Sequence, residues 1–197
     1  MKKLLLIYVL LIFVCHFVKA QNEVIYESIS IGKQIWMTKN LDVDRFKNGD
    51  IIPEAKTNDE WEKAGKKRQP AWCYSNNDAG NSNTCGKLYN WYAISDSRGL
   101  APEGWHIPNG DEWNQLIGQF GNNHTFPENI KRTNLFPDKF CGMRNSFGEF
   151  HNNSSEFWKN NLDAANNISL SELGIYPYIC KDKSCKGSGY NVRCLKD

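Results

Sequence analysis

The sequence predicts a single α+β domain: two helices packed on short antiparallel sheets, with long loops between them and disulfides holding the loops. Three observations predict it. Residues 99–113, GLAPEGWHIPNGDEW, combine a strand signal, a helix cap and two tryptophans. A hairpin signal surrounds Gly32-Lys33, and the chain closes on an alternating segment over 190–195. After a leader, six cysteines remain, an even set.

The leader comes first. Lys2 and Lys3 give a basic start, residues 4–14 carry no charge, and Val18-Lys19-Ala20 offers a small-residue cleavage site. Cleavage before Gln21 is expected, leaving one domain over 21–197. The apolar run is shorter than the ~20 residues that span a bilayer, and Cys15 follows Val14 where lipid attachment wants a small residue. The expected product is a non-lipidated chain without a transmembrane segment, secreted, periplasmic or on the cell surface.

Within the domain, Gly at the first loop position of Gly32-Lys33 suits a type II′ turn and sets Ile29, Ile31 and Trp36 on one face. Thr57 and Glu60 form a capping box for a short helix before Pro70, with Trp61 and Ala64 inward and Gly65 as its end. The cluster Lys66-Lys67-Arg68 reads as its C-terminal cap. Residues 76–83, NNDAGNSN, are turn chemistry and read as a loop. Periodicity leaves 88–94, LYNWYAI, open between strand and helix.

Trp105, His106 and Ile107 read as a strand that Pro108 ends, because proline cannot continue a ladder. Asn109 and Glu112 then cap a second helix, and Trp113, Leu116, Ile117 and Phe120 follow at helical spacing. Residues 141–150 read as a hairpin with Asn145 and Ser146 near its tip. Tyr190, Val192 and Cys194 alternate against Asn191 and Arg193 as a terminal strand.

The leader holds three lysines and no acid, so residues 21–197 carry 21 basic against 22 acidic side chains, a net charge of −1. That balance gives no electrostatic footprint for nucleic acid or an acidic membrane. The six cysteines are Cys73, Cys85, Cys141, Cys180, Cys185 and Cys194, and an exported chain favours three disulfides. Fifteen pairings are open to six cysteines. Short loops suit the pairs Cys73 with Cys85 and Cys180 with Cys185, leaving Cys141 with Cys194. No CxxC pair or histidine spacing supports zinc.

In order along the chain, IGKQIWMTKNL (31–41), NGDIIPE (48–54), AWCYSNND (71–78), GKLYNWYAISDSRGLAPEGWHIP (86–108) and VRCLKD (192–197) resemble the Fibrobacter succinogenes major paralogous domain family. The resemblance implies an exported or surface protein of Bacteroidota or Fibrobacterota type, in a family without an established activity. It also implies a C-type lectin-like fold. The segment GWHIPNGDEW is similar to one in the formylglycine-generating sulfatase-modifying family, which shares that fold; this makes LYNWYAI the first helix and residues 110–120 the second. Residues 163–186 depart from the resemblance, lacking its aromatic-rich strand pattern. Cys85, Cys141, Cys180 and Cys185 are additional to it.

The chemistry points to binding rather than catalysis. The calcium motifs of sugar-binding C-type lectins are absent, and the loop over 76–83 holds one carboxylate, Asp78, too little charge for tight calcium binding. His16, His106, His124 and His151 lack a nucleophile at a recognisable spacing. No cofactor is expected. Cys180 and Cys185 offer the single enzymatic thread, a copper(I) thiol pair of the sulfatase-modifying type. Trp36, Trp61, Trp91, Trp105 and Trp113 sit on apolar stripes and read as core. Trp158, among Asn152, Asn153, Asn160 and Asn161, reads as the aromatic that meets a ligand. The expected function is a binding or adhesion module for a glycan or a surface protein; the alternative is a structural component of a surface assembly.

Overall fold

The computed structural model describes residues 24–121, 129–130, 133, 135–136, 140–160, 166–171, 174–179 and 183–197. The leader, Asn161, Cys180, His16 and His124 fall outside them. Among the described residues the architecture is mixed α/β, with three antiparallel sheets.

In the first sheet, β1 (Ser28–Ile31) and β2 (Gln34–Met37) pair across Gly32-Lys33. Gly32 takes φ +59° while Lys33 does not turn positive, as a type II′ turn requires. The sheet is completed by β5 (Trp105–His106) and β12 (Leu195–Lys196), in the order β1-β2-β12-β5. The first and last of the described strands thus share one sheet. Trp36, opposite Ile29, is buried with Ile31 as the hairpin pattern predicts.

The second sheet runs β3-β4-β11-β6-β7, built from β3 (Trp72–Tyr74), β4 (Lys87–Asn90), β6 (Met143–Arg144), β7 (Phe150–His151) and β11 (Gly189–Tyr190). Strands β6 and β7 are the hairpin expected over 141–150. The third sheet contains β8 (Ser155–Lys159), β9 (Asn166–Ser171) and β10 (Gly174–Ile179). Strands β9 and β10 lie within 163–186, the stretch that lacks the aromatic-rich strand pattern of the resemblance.

Strand β8 links the layers. Its backbone bridges to Gly142 and Asn191 as well as to β9, and all five of its residues are buried. Alternation sends Phe157 into one core cluster with Trp36 and Trp113, and Trp158 into another with Trp91 and Tyr190.

Local chemistry sets the helices. Helix α1 (Asn58–Lys66) starts with Thr57 accepting from the Glu60 N–H at 3.2 Å while Glu60 accepts from the Thr57 N–H at 3.0 Å. It does not end at Gly65: the left-handed residue is Arg68, three positions later. Residues 76–83 form short helical turns rather than open loop, leading into α2 (Ser82–Cys85). LYNWYAI divides into β4 and a one-turn helix, α3 (Trp91–Ile94), because the Asn90 side chain leaves the strand and caps the turn through the Ala93 N–H. Helix α4 (Gly110–Gln119) has the predicted reciprocal box of Asn109 and Glu112.

The predicted terminal strand is split between two sheets, with β11 at one end and β12 at the other. Its alternation survives: Tyr190, Val192 and Cys194 face one core cluster. The polar face is buried too. Asn191 donates to the carbonyls of Cys85 and Lys87 at 2.8 and 3.2 Å. Arg193, fully buried, donates to Asn40 Oδ1 at 2.5 and 2.9 Å, to the Met37 carbonyl at 3.0 Å and to the Leu135 carbonyl, with the Phe136 ring 5.0 Å away.

The cysteine pairing differs from the short-loop expectation. Cys85 bonds Cys141, 56 residues away; Ser75 donates to the Cys141 carbonyl at 2.8 Å and holds the 75–85 segment against the residues that lead into β6. Cys185 is in a second disulfide. Cys73 and Cys194 are free, buried thiols, held up to about 12 by burial despite the nearby Arg144 and Arg193 cations. Alkylation of the native protein should therefore leave both untouched. Denaturation without reductant should expose label at Cys73 and Cys194; label at Cys85 or Cys141 would contradict the pairing.

Candidate functional site

Four segments distant in sequence enclose a surface cleft of about 740 Å³, within the roughly 300–1,000 Å³ range of small-ligand sites. The C-terminal end of α1 supplies Arg68, α3 supplies Trp91 and Tyr92, the β6–β7 hairpin tip supplies Phe147, and the turn over Lys183–Gly187 supplies Lys186. Two glycines set the spacing of its walls. A Cβ added at Gly65 would lie 3.2 Å from the Gly187 Cα, and one at Gly187 would lie 3.2 Å from the Ser146 Cβ. Helix α1, the turn and the hairpin thus approach as closely as backbones allow. The disulfide at Cys185 tethers the wall that carries Lys186.

The cleft combines apolar faces with positive charge. Trp91 is backed by Trp158, their ring centroids 5.6 Å apart, so its orientation is fixed from behind. Phe147 is 66% exposed at the hairpin tip. The Lys186 ammonium lies 5.8 Å from the Trp91 ring centroid, and Lys66 pairs with Glu62 at 2.9 Å.

Trp158 is not a surface aromatic. It is 0% exposed in β8 and donates its indole N–H to the Tyr89 carbonyl at 2.6 Å. Asn152, Asn153 and Asn160 are exposed, but β8 is buried on both faces and alternation places Trp158 in the cluster with Trp91 and Tyr190. Asn152 instead reaches the Asn76 side chain at 3.1 Å. The asparagines that made Trp158 look loop-borne flank a buried strand. The cleft residues carried one usable signal, Phe147 beside the turn residues Asn145 and Ser146, and Arg68 had been read only as a cap. The copper reading lacks its reduced pair, since Cys185 is disulfide-bonded. No group of three histidine, cysteine or acidic residues able to hold a metal occurs among the described residues.

A polar cluster outside the cleft centres on His106. His106 contacts Glu112 at 2.9 Å through Nε2 and Asp197 at 2.7 Å through Nδ1, joining β5, the start of α4 and the chain end. Partial burial alone would lower its pKa; the hydrogen bonds to the two carboxylates outweigh that and raise it above 6.5. The folded state thus holds this proton more tightly than the unfolded chain. The resulting stability is complete below pH ~6.5 and is lost as pH rises through the folded value. His106 should titrate above the free imidazole by NMR, and His106→Gln should reduce the advantage in urea midpoint at pH 6 over pH 8. An unshifted imidazole resonance would contradict the clamp.

A second pocket, about 520 Å³, lies between residues 24–27 and 37–45.

The described residues thus form a disulfide-linked mixed α/β structure in which the first and last described strands share a sheet and loops and helix ends build a surface cleft. The family profile described as the Fibrobacter succinogenes major domain matches residues 29–139, more than half of the chain, and the protein belongs to that family. No curated protein and no solved structure matches the chain. The match covers the hairpin, α1, α3 and α4. Phe147 and Lys186 lie beyond it, although the sequence resemblance had been drawn through to Asp197. Among the described residues, no helix is long and apolar enough to cross a membrane.

Proposed function

We propose that the protein is an exported or surface-exposed binding module of C-type lectin-like arrangement, and that its cleft holds a saccharide. The meeting of β1, β2 and β12 in one sheet supports the arrangement, and the leader sequence supports export. The observation that carries the ligand is Phe147, 66% exposed on the rim of a concave site that the half-buried Tyr92 and the largely buried Trp91 also line. Exposed aromatic faces stack on the C–H faces of sugar rings, while neighbouring polar groups fix the hydroxyls. An isolated apolar side chain needs no explanation; one at the mouth of a pocket with two other aromatics does.

Glycan-array capture of the purified protein tests this reading. Binding should survive a chelator, because the ligand is gripped by aromatic rings. Phe147→Ala should abolish most capture while leaving the melting temperature within a few degrees, as for other exposed substitutions. Undiminished capture by Phe147→Ala, or no capture of any saccharide by the parent, would overturn it.

A further inference from the structure

We propose that the saccharide taken by this cleft is anionic, and that Arg68 and Lys186 read its carboxylate or sulfate; the inference rests on the saccharide reading above. Of the cleft's three cationic side chains, Lys66 is engaged by Glu62 at 2.9 Å. Arg68 and Lys186 make no ion pair among the described residues, yet both line the same pocket. This concentration of positive charge is local, since residues 21–197 carry a net charge of −1.

Arg68 adds an observation of a different kind. Its N–H donates to the Gly65 carbonyl at 3.1 Å, and the Gln69 N–H donates to the Ala64 carbonyl at 2.9 Å. These are the two hydrogen bonds of a Schellman motif, whose left-handed position usually holds glycine. Arg68 takes φ +56° there. The other described non-glycine residues at positive φ are Asn76 and Asn77, and asparagine tolerates that region where arginine does not. The backbone of α1 would be better served by glycine at this position. The guanidinium stands instead on the cleft rim, where its planar fork matches a carboxylate or a sulfate with two parallel hydrogen bonds. Strain retained at the edge of a pocket is a mark of a working site. Lys186 supplies a point charge to the same pocket, on a turn tethered through Cys185.

The test uses the purified protein and four probes: tetragalacturonate, its methyl ester, a sulfated galactan oligosaccharide, and neutral cello- and xylo-oligosaccharides. At low salt the free acid or the sulfated oligomer should bind about tenfold or more tightly than the neutral compounds, and raised salt should erase the difference. Binding of the sulfated oligomer alone keeps the proposal and makes sulfate the anion. Arg68→Gly should raise the urea midpoint, because glycine suits the left-handed position, and should remove the preference for acid over ester. Lys186→Gln should weaken the same preference without changing the urea midpoint. Equal affinity for acid, ester and neutral sugars would overturn the anion reading and leave the saccharide site standing. No binding to any probe would overturn both.

Discussion

Trp158→Ala should cost about 3–5 kcal/mol of stability in urea titration, the range for emptying a fully buried tryptophan site. The indole fills the space between Tyr190 and Trp91, with ring centroids 4.4 and 5.6 Å away, and satisfies the Tyr89 carbonyl at 2.6 Å. Alanine would leave a cavity lined by large rings that cannot collapse onto it, and would remove the buried indole hydrogen bond to the Tyr89 carbonyl. Because Trp158 backs Trp91, the cavity also loosens one wall of the cleft. Trp158→Phe separates the two effects: it keeps most of the apolar volume and should lose less, chiefly through the lost indole hydrogen bond. A Trp158→Ala variant as stable as the parent would mean that this side chain does not join the sheets as described.

Arg193→Met should cost about 3 kcal/mol, through buried acceptors left without donors rather than through lost charge pairing. Among the described residues no carboxylate accepts a hydrogen bond from this guanidinium; its partners are the Met37 and Leu135 carbonyls and the Asn40 amide oxygen. Burial lowers its pKa to about 9, the opposing cost of holding a cation there, though it remains charged at neutral pH. Methionine removes that cost and fills similar volume, which is why the net loss stays moderate. The three oxygens remain buried, which is why it stays a loss. The resulting unfolding should start where the 37–41 segment, Leu135 and the chain end meet, so hydrogen exchange should rise first at Met37 and Leu41. A gain in stability would show that the desolvation cost of the cation outweighs its hydrogen bonds.

Reading the sequence recovered features fixed by neighbours a few residues apart. The Gly32 turn, the Thr57–Glu60 and Asn109–Glu112 boxes and the stripe of Trp113 and Leu116 depend on local backbone geometry, which a few residues determine. Features made by distant pairing were opaque. Asn152, Asn153 and Asn160 gave the neighbourhood of Trp158 a loop composition, and only the partners of β8 in β9, Gly142 and Asn191 show that its strand is buried on both faces. The same held for Cys85 and Cys141, whose segments Ser75 holds together. Asn191 and Arg193 looked like a solvent face because their acceptors are carbonyls far away in sequence. The cleft was the least legible part. It exists only where α1, α3, a hairpin tip and the Lys183–Gly187 turn converge, and no single stretch of residues records that meeting.

Amide and side-chain NMR shifts of the labelled protein, titrated with tetragalacturonate, with the sulfated galactan oligosaccharide and then with neutral cello- and xylo-oligosaccharides, test the cleft as the binding site most directly. The account predicts saturable shifts that cluster at Arg68, Tyr92, Phe147 and Lys186, with Asn152, Asn153 and the pocket beside residues 24–27 unmoved. Saturable shifts that cluster instead at either of those other surfaces, or no shifts with any of the oligosaccharides, would contradict it.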